Sequence, residues 1–129
     1  MNYISAELDA GEFSPIVIGN SGYARSISRR FFNRYGVFSH IFCERSTFLK
    51  RLSITSKFHQ VDGFDRDELL LIALEDFANS VQDRDIILYL IPGTSKAAHF
   101  IRRNRAKLES SFLVASPETM LRLLRSPAK

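Results

Sequence analysis

The segment Asp85–Ile91 reads DIILYLI, and six of its seven residues are apolar without interruption. A strand with one face in water alternates apolar and polar residues, whereas a continuous apolar run must be covered on both faces. The run is therefore predicted to be a central strand of a parallel sheet. Such a sheet requires helices packed on both of its sides.

Strand and helix patterns alternate along the rest of the chain. The strand pattern PIVIG is followed by apolar residues at helical spacing from Ala24 to Tyr35, closed by Gly36. Further strand patterns are VFSHIFC (37–43), KFHQV (57–61) and FLVA (112–115), the clearest helix is FDRDELLLIALEDFANSV (64–81), and a short helix is predicted at Phe48–Leu52. The order β-α-β-(α)-β-α-β-α-β-α predicts an α/β fold, a Rossmann-like three-layer sandwich with a mostly parallel sheet of about five strands.

Three helices carry capping signals at their N-termini. Asp65 is predicted to cap the helix in segment 64–81, because its carboxylate can accept from the free amides of the first turn. Thr94 or Ser95 is predicted to cap the next helix, and Ser116, followed by a proline, the last one.

The length of 129 residues predicts one domain at 13–125, with a flexible polar leader at 1–12 and a short tail at 126–129. No apolar run approaches the roughly 20 residues of a membrane helix and the N-terminus lacks the regions of a signal peptide, so a cytoplasmic protein without a membrane partner is expected. The net charge is +4, but the basic cluster Lys96–Lys107 contains only one aromatic residue, which does not favour nucleic acid as a partner. The lone Cys43 is interpreted as a packing residue.

The residues after the strands are the candidates for binding, because parallel sheets hold ligands beyond the carboxyl ends of their strands. After the first strand, Gly19, Asn20, Ser21 and Gly22 offer backbone amides at a helix N-terminus, where the helix dipole favours an anion. Arg25 lies in the first turn of that helix, where a cation is unfavourable unless a bound ligand or an acid from another segment compensates it.

A second candidate turn follows the strand Asp85–Ile91 and reads PGTS, with Gly93, Thr94 and Ser95 as its binding candidates. Each of the two turns has two interpretations, a substrate or anion site or a turn with a purely structural role. No catalytic residue is predicted in either turn.

Several common sites do not match the sequence. Ser21 stands where the dinucleotide fingerprint has its second glycine, and a side chain there would crowd a pyrophosphate, so a NAD(P)-binding domain is the less favoured alternative. Neither the G-x-x-x-x-G-K-[ST] loop nor the G-x-S-x-G elbow occurs. His40, His59 and His99 have no Cys or His at ligand spacing, so no metal site is predicted and they are interpreted as structural or surface histidines.

Four blocks of the sequence together resemble a known family. They read FSPIVIGNSGYARSISRRFFNRYGVFSHIF, SKFHQVDGFDRDELLLIALEDFA, DIILYLIPG and LESSFLVASPETMLRLL. Their pattern is similar to the N-terminal pre-ATP-grasp domain of carboxylate–amine ligases, with the D-aspartate ligases of peptidoglycan bridge synthesis as the look-alikes. The likeness covers residues 13–124 and places the family's first glycine turn on Gly19–Gly22. The turn Pro92–Ser95 departs from the family, whose members often have a Gly-Asp-Gly-like turn there.

The resemblance implies a domain that forms the substrate-side wall of a ligase and is inactive by itself. ATP and Mg²⁺ are then expected to bind to an ATP-grasp catalytic domain, which is absent from this chain and is supplied by the same protein or by a separate chain. This chain would hold no cofactor. A docking domain is expected to expose an apolar patch or to bury it in a homodimer, with Leu121, Leu124 and Phe48–Leu52 as candidates. The alternative is a free-standing Rossmann-like binding or interaction module.

Overall fold

The structure is a computed structural model that describes residues 13–45 and 55–125. Strands and helices alternate along these two ranges. The strands are β1 (Phe13–Ile18), β2 (Ser39–Cys43), β3 (Ser56–Gln60), β4 (Ile87–Pro92) and β5 (Leu113–Val114); the helices are α1 (Gly22–Tyr35), α2 (Asp67–Ser80), α3 (Ser95–Arg103), α4 (Arg105–Leu108) and α5 (Pro117–Arg125), and a 3₁₀ turn spans Gln82–Arg84.

The five strands form one sheet in the order β3-β2-β1-β4-β5, and every pairing is parallel. The longest pairing joins β1 to β4, from Phe13 opposite Ile87 to Ile18 opposite Pro92. The continuous apolar run thus lies inside the sheet as β4, between β1 and β5. The predicted Rossmann-like α/β fold is confirmed, and the sheet is parallel throughout.

Successive residues of the central strands face opposite sides of the sheet and build two cores. On one side, Ile16 and Leu90 pack with buried residues of α2, α3 and α4. On the other side, Val17, Tyr89 and Ile91 pack with buried residues of α1 and α5. Because both faces are covered, the central strands are apolar at every position.

The caps of three helices follow from their sequences. Ser21 Oγ accepts from Ala24 N at 3.0 Å at the start of α1, and Thr94 Oγ1 accepts from Ala97 N at 3.1 Å at the start of α3. Ser116 Oγ accepts an amide of α5 in the same way. The predicted caps at Thr94 and Ser116 are confirmed.

The predicted cap at Asp65 is wrong. α2 begins at Asp67, and its N-cap residue Arg66 makes no side-chain cap hydrogen bond. Arg66 N donates to Gly63 O at 2.8 Å, and Gly63 has a φ of 76°. Asp65 therefore lies inside a tight turn, while Asp67 and Glu68 place their carboxylates in the first helical turn, where the dipole favours them.

Three predictions fall on other parts of the chain: the leader at 1–12, the short helix at Phe48–Leu52 and the tail at 126–129 lie outside the described residues. Cys43 is buried at the end of β2, as its interpretation as a packing residue requires. Among the helices of residues 13–45 and 55–125, none is long and apolar enough to cross a membrane.

Candidate functional site

The order in which strands are added to the sheet reverses between β1 and β4: β2 and β3 lie on one side of β1, and β4 and β5 lie on the other. The loop after β1 leads into α1 on one face, and the loop after β4 leads into α3 on the other face. In open parallel sheets this topological switch point is the usual place for a ligand. Residues 19–21 and 93–94, which we call the switch-point loops, contain five of the eight candidate residues predicted from the sequence. Gly22 and Ser95 follow as the first residues of α1 and α3, and Arg25 lies in the first turn of α1.

The two switch-point loops are tied directly to each other. Gly93 N donates to Ile18 O at 2.8 Å, and Ser21 Oγ donates to Gly93 O at 2.7 Å. Gly19 N donates to Phe42 O at 2.8 Å and so fastens the first loop to β2 as well. These bonds hold the loops in one arrangement at the carboxyl ends of the strands.

The loops are also in close steric contact. A Cβ atom placed on Gly93 would lie 2.5 Å from Gly19 O, and one placed on Gly19 would lie 2.9 Å from Thr94 Cγ2. Gly19 has a φ of 99°, a left-handed conformation that side chains rarely adopt. The gap between Gly19 and Gly93 is too narrow for a methyl group, so no ligand fits between these two glycines.

The side chain of Arg25, in α1, is hydrogen-bonded to the preceding switch-point loop. Arg25 Nη1 donates to Asn20 Oδ1 at 3.0 Å. In the described part of the chain the partner of Arg25 is thus an amide oxygen, where the sequence led us to expect an acid or a ligand. Gly22 and Ser95 are exposed at the starts of their helices.

A groove of about 220 Å³ opens on the face of α2 and α3, beside the switch-point loops. Its floor contains the buried side chains of Ile18, Leu70 and Phe100. Charged side chains surround this floor, so we call it the charged groove. The lining residues are Ile18, Phe64, Asp65, Asp67, Leu70, Lys96, Ala97, His99, Phe100 and Arg103.

The charges of the charged groove fall into two classes. Asp67 is fixed, because Arg103 donates to it through Nε at 3.0 Å and through Nη2 at 2.8 Å, and Asn104 Nδ2 donates at 3.0 Å. The hydrogen bonds from Arg103, followed by the bond from Asn104, hold the pKa of Asp67 below its usual value. The side chains of Asp65 and Lys96, in contrast, make no hydrogen bond or ion pair with another described residue.

A second groove, of about 470 Å³, lies on the opposite face between α1 and α5. We call it the apolar groove, because most of its wall is hydrocarbon. It is lined by Tyr23, Ile27, Arg30, Ile91, Pro92, Ala115, Ser116, Pro117, Met120, Leu121 and Leu124. Tyr23 and Leu121 remain 57% and 56% exposed at its rim. The exposure predicted for Leu121 is confirmed, whereas Leu124 is only partly exposed.

A histidine pair is the feature that sequence reasoning missed. His40 Nδ1 and His59 Nε2 are 2.8 Å apart, within hydrogen-bonding distance. The His59 ring stacks on Phe42 at a centroid distance of 4.6 Å, and Phe77 packs against both histidines. The two residues are on neighbouring strands, with His59 opposite Phe42, two positions beyond His40. Only the β2–β3 register brings them together, and the spacing in sequence does not reveal it.

The surroundings disfavour the charged form of both histidines. Burial, with a smaller effect of His59 and Lys57, lowers the pKa of His40 to about 4, and burial followed by Lys57 lowers the pKa of His59. Which of the two ring nitrogens donates in this pair depends on the tautomers. No group of three or more His, Cys, Asp or Glu residues within 13–45 and 55–125 is arranged to hold a metal ion.

In comparisons with protein-family models, curated proteins and solved structures, this chain has no match. The resemblance to pre-ATP-grasp domains therefore stays a prediction from the residues. The sheet topology and the two grooves are the observations on which a function must be argued.

Proposed function

We propose that this chain is the N-terminal, substrate-side domain of an ATP-dependent carboxylate–amine ligase of the ATP-grasp superfamily, and that it binds substrate without catalysing a reaction itself. The charged groove carries this proposal. It lies at the carboxyl edge of a parallel sheet, where such folds hold ligands. The sequence blocks that resemble the family fall on the strands and helices that surround it.

The chemistry of the charged groove suits one wall of a site for small charged substrates. A carboxylate substrate requires a cation and an amine substrate, while protonated, requires an anion. Lys96 and Asp65 supply one of each, and neither is paired within the described residues. Asp67 and Arg103 neutralise each other, so they define the edge of the groove without attracting a ligand of either charge.

The proposal assigns the chemical step to another domain. Forming an acyl phosphate requires the triphosphate, a divalent metal and neutralising cations to be positioned in one enclosed site. The sequence of this chain has no glycine loop with a phosphate-binding lysine. ATP and Mg²⁺ therefore belong to the catalytic domain in this proposal, and the charged groove presents the substrate to it.

A binding experiment tests the proposal. The ¹⁵N-labelled chain is titrated with L- and D-aspartate, alanine and succinate, and amide shifts are followed by NMR. We expect saturable shifts at 64–67 and 96–100 that are lost in Lys96→Met. The matched control is Lys107→Met, which removes an exposed lysine of α4 outside the groove. Equal losses in the two variants, or shifts confined to other parts of the domain, would contradict a substrate role for this groove.

A further inference from the structure

The apolar groove has the size and position of a small-molecule site. Its volume of about 470 Å³ lies within the range of roughly 300 to 1,000 Å³ that is typical of ligand pockets. It is bounded by Pro92 at the end of β4 and by Ala115 and Ser116 just after β5. It therefore lies at the carboxyl edge of the sheet, on the face opposite the charged groove.

The wall of the apolar groove is hydrophobic over most of its surface. Ile27, Ile91 and Met120 are buried in the core beneath it, while Tyr23 and Leu121 stand more than half exposed at its rim. Large apolar side chains exposed side by side cost free energy in water, at about 25 cal/mol per Å² of apolar surface. A ligand with a hydrocarbon body would remove part of this surface from water.

One charged side chain, that of the exposed residue Arg30, lines this groove. Arg30 is the single charged residue among those lining the groove, and within the described residues no carboxylate lines it. Its Nη2 donates to Leu124 O at 2.8 Å, which holds the guanidinium at the C-terminal end of α5. A guanidinium has five N–H donors, and this bond uses one of them. The remaining donors can receive an anion in the paired geometry that arginine forms with carboxylates.

We propose that the apolar groove binds a small amphiphilic carboxylate, with its hydrocarbon body on Ile27, Ile91 and Met120 and its carboxylate on Arg30. Arg30 is exposed at the edge of the groove, so a neutral hydrocarbon would gain nothing from its remaining donors, whereas a carboxylate can pair with them. A cationic ligand would meet Arg30 without a compensating acid in the groove. The inference rests on this groove alone and does not depend on the ligase proposal.

Three probes of one shape test the inference on the whole chain. They are 4-phenylbutyrate, 4-phenylbutan-1-ol and 4-phenylbutylamine, each titrated against the ¹⁵N-labelled protein. We expect the carboxylate to bind about tenfold more tightly than the alcohol, as one charge-assisted hydrogen-bonded pair supplies, and the amine to bind more weakly than the alcohol. The shifts are expected at Tyr23, Ala115 and Leu121, away from the charged groove.

Two substitutions distinguish a specific pairing of the ligand carboxylate with Arg30 from a general attraction of anions to a basic protein. Arg30→Met is expected to abolish the preference for the carboxylate, whereas Arg29→Met, which removes an exposed neighbour outside the groove, should leave it intact. Should Arg30→Met fail to fold, Arg30→Lys keeps the charge without the paired geometry and is expected to lose most of the preference. The inference is overturned if both methionine variants behave alike, if the three wild-type affinities are equal, or if the groove takes only a long acidic peptide and none of the three probes.

Discussion

Replacing Gly93 with alanine is expected to break the contact between the switch-point loops. The new Cβ atom would lie 2.5 Å from Gly19 O, 2.9 Å from Ile18 O and 3.0 Å from Val17 Cγ1. Two of these three atoms belong to the backbone of β1 and its loop, so a change of rotamer cannot relieve the clash. One loop must retreat by about 0.9 Å before the closest pair reaches the ordinary contact distance of 3.4 Å.

The magnitude follows from what this retreat disrupts. It stretches the bond from Gly93 N to Ile18 O, now 2.8 Å, and the bond from Ser21 Oγ to Gly93 O, now 2.7 Å. Each such bond contributes roughly 0.5–1.5 kcal/mol, and overpacking alone costs about 1–3 kcal/mol. Because part of each bond survives the movement, we expect Gly93→Ala to lower the free energy of unfolding by about 2–4 kcal/mol.

Gly22→Ala is the matched control. A Cβ atom at Gly22 would meet no heavy atom within 4 Å, and the residue is the first of α1. Alanine there should leave stability unchanged or raise it by up to about 1 kcal/mol, because it restricts the unfolded chain. Urea unfolding followed by circular dichroism measures both variants, and at a slope of about 2 kcal/mol per M the midpoint of Gly93→Ala should fall by roughly 1–2 M. A Gly93→Ala midpoint as high as that of Gly22→Ala would refute the close contact of the loops.

Three further outcomes are expected. The buried hydroxyl of Tyr89 has no hydrogen-bond partner among the described residues, so Tyr89→Phe should raise the free energy of unfolding in urea by about 1 kcal/mol. The control Tyr35→Phe removes the 3.2 Å bond to Leu123 O and should destabilise the protein slightly. A loss of stability in Tyr89→Phe would contradict the first expectation. The pKa of His40 in the folded state, about 4, lies below its ordinary value of 6.5, so the unfolded chain binds the proton more tightly and the free energy of unfolding should fall as the pH drops from 6.5 towards 4. This fall should be smaller in His40→Gln. A ring-proton NMR titration of His40 with a midpoint near 6.5 would contradict the lowered pKa. Purified chain with Mg²⁺-ATP and a panel of amino acids should release no ADP above the buffer rate, and turnover that disappears in Arg25→Ala would disprove the assignment of catalysis to another domain.

Much of the fold could be predicted because the local signals agree with the tertiary structure. The uninterrupted apolar run could only be a strand covered on both faces, and β4 is that strand. Gly36, predicted to end the first helix, is in the left-handed conformation at its C-cap, with a φ of 73°. Asp65 failed as a cap because a backbone turn at Gly63 competes with the capping geometry, and the sequence offers both alternatives at similar strength.

The candidate site was only partly predictable, because its geometry depends on contacts between distant segments. The sequence indicated both switch-point loops, yet not that Ser21 and Gly93, 72 residues apart, are joined by a hydrogen bond. The histidine pair depends on the register of β2 against β3 in the same way. Arg30 carries no distinguishing signal among the four arginines of α1, and only the packing of α5 against α1 makes it part of a groove.

The position of Ser21 bears on why the two grooves lie beside the switch point and not between its loops. In dinucleotide-binding folds a glycine at the corresponding position lets a pyrophosphate approach the backbone between the loops. Here the Ser21 hydroxyl caps α1 and donates to Gly93 O, so the side chain occupies and closes that approach. The charged groove lies on the α2–α3 face and the apolar groove on the α1–α5 face. Since the two grooves share no lining residue and lie on opposite faces of the sheet, a ligand bound in one is expected to leave the affinity of the other unchanged.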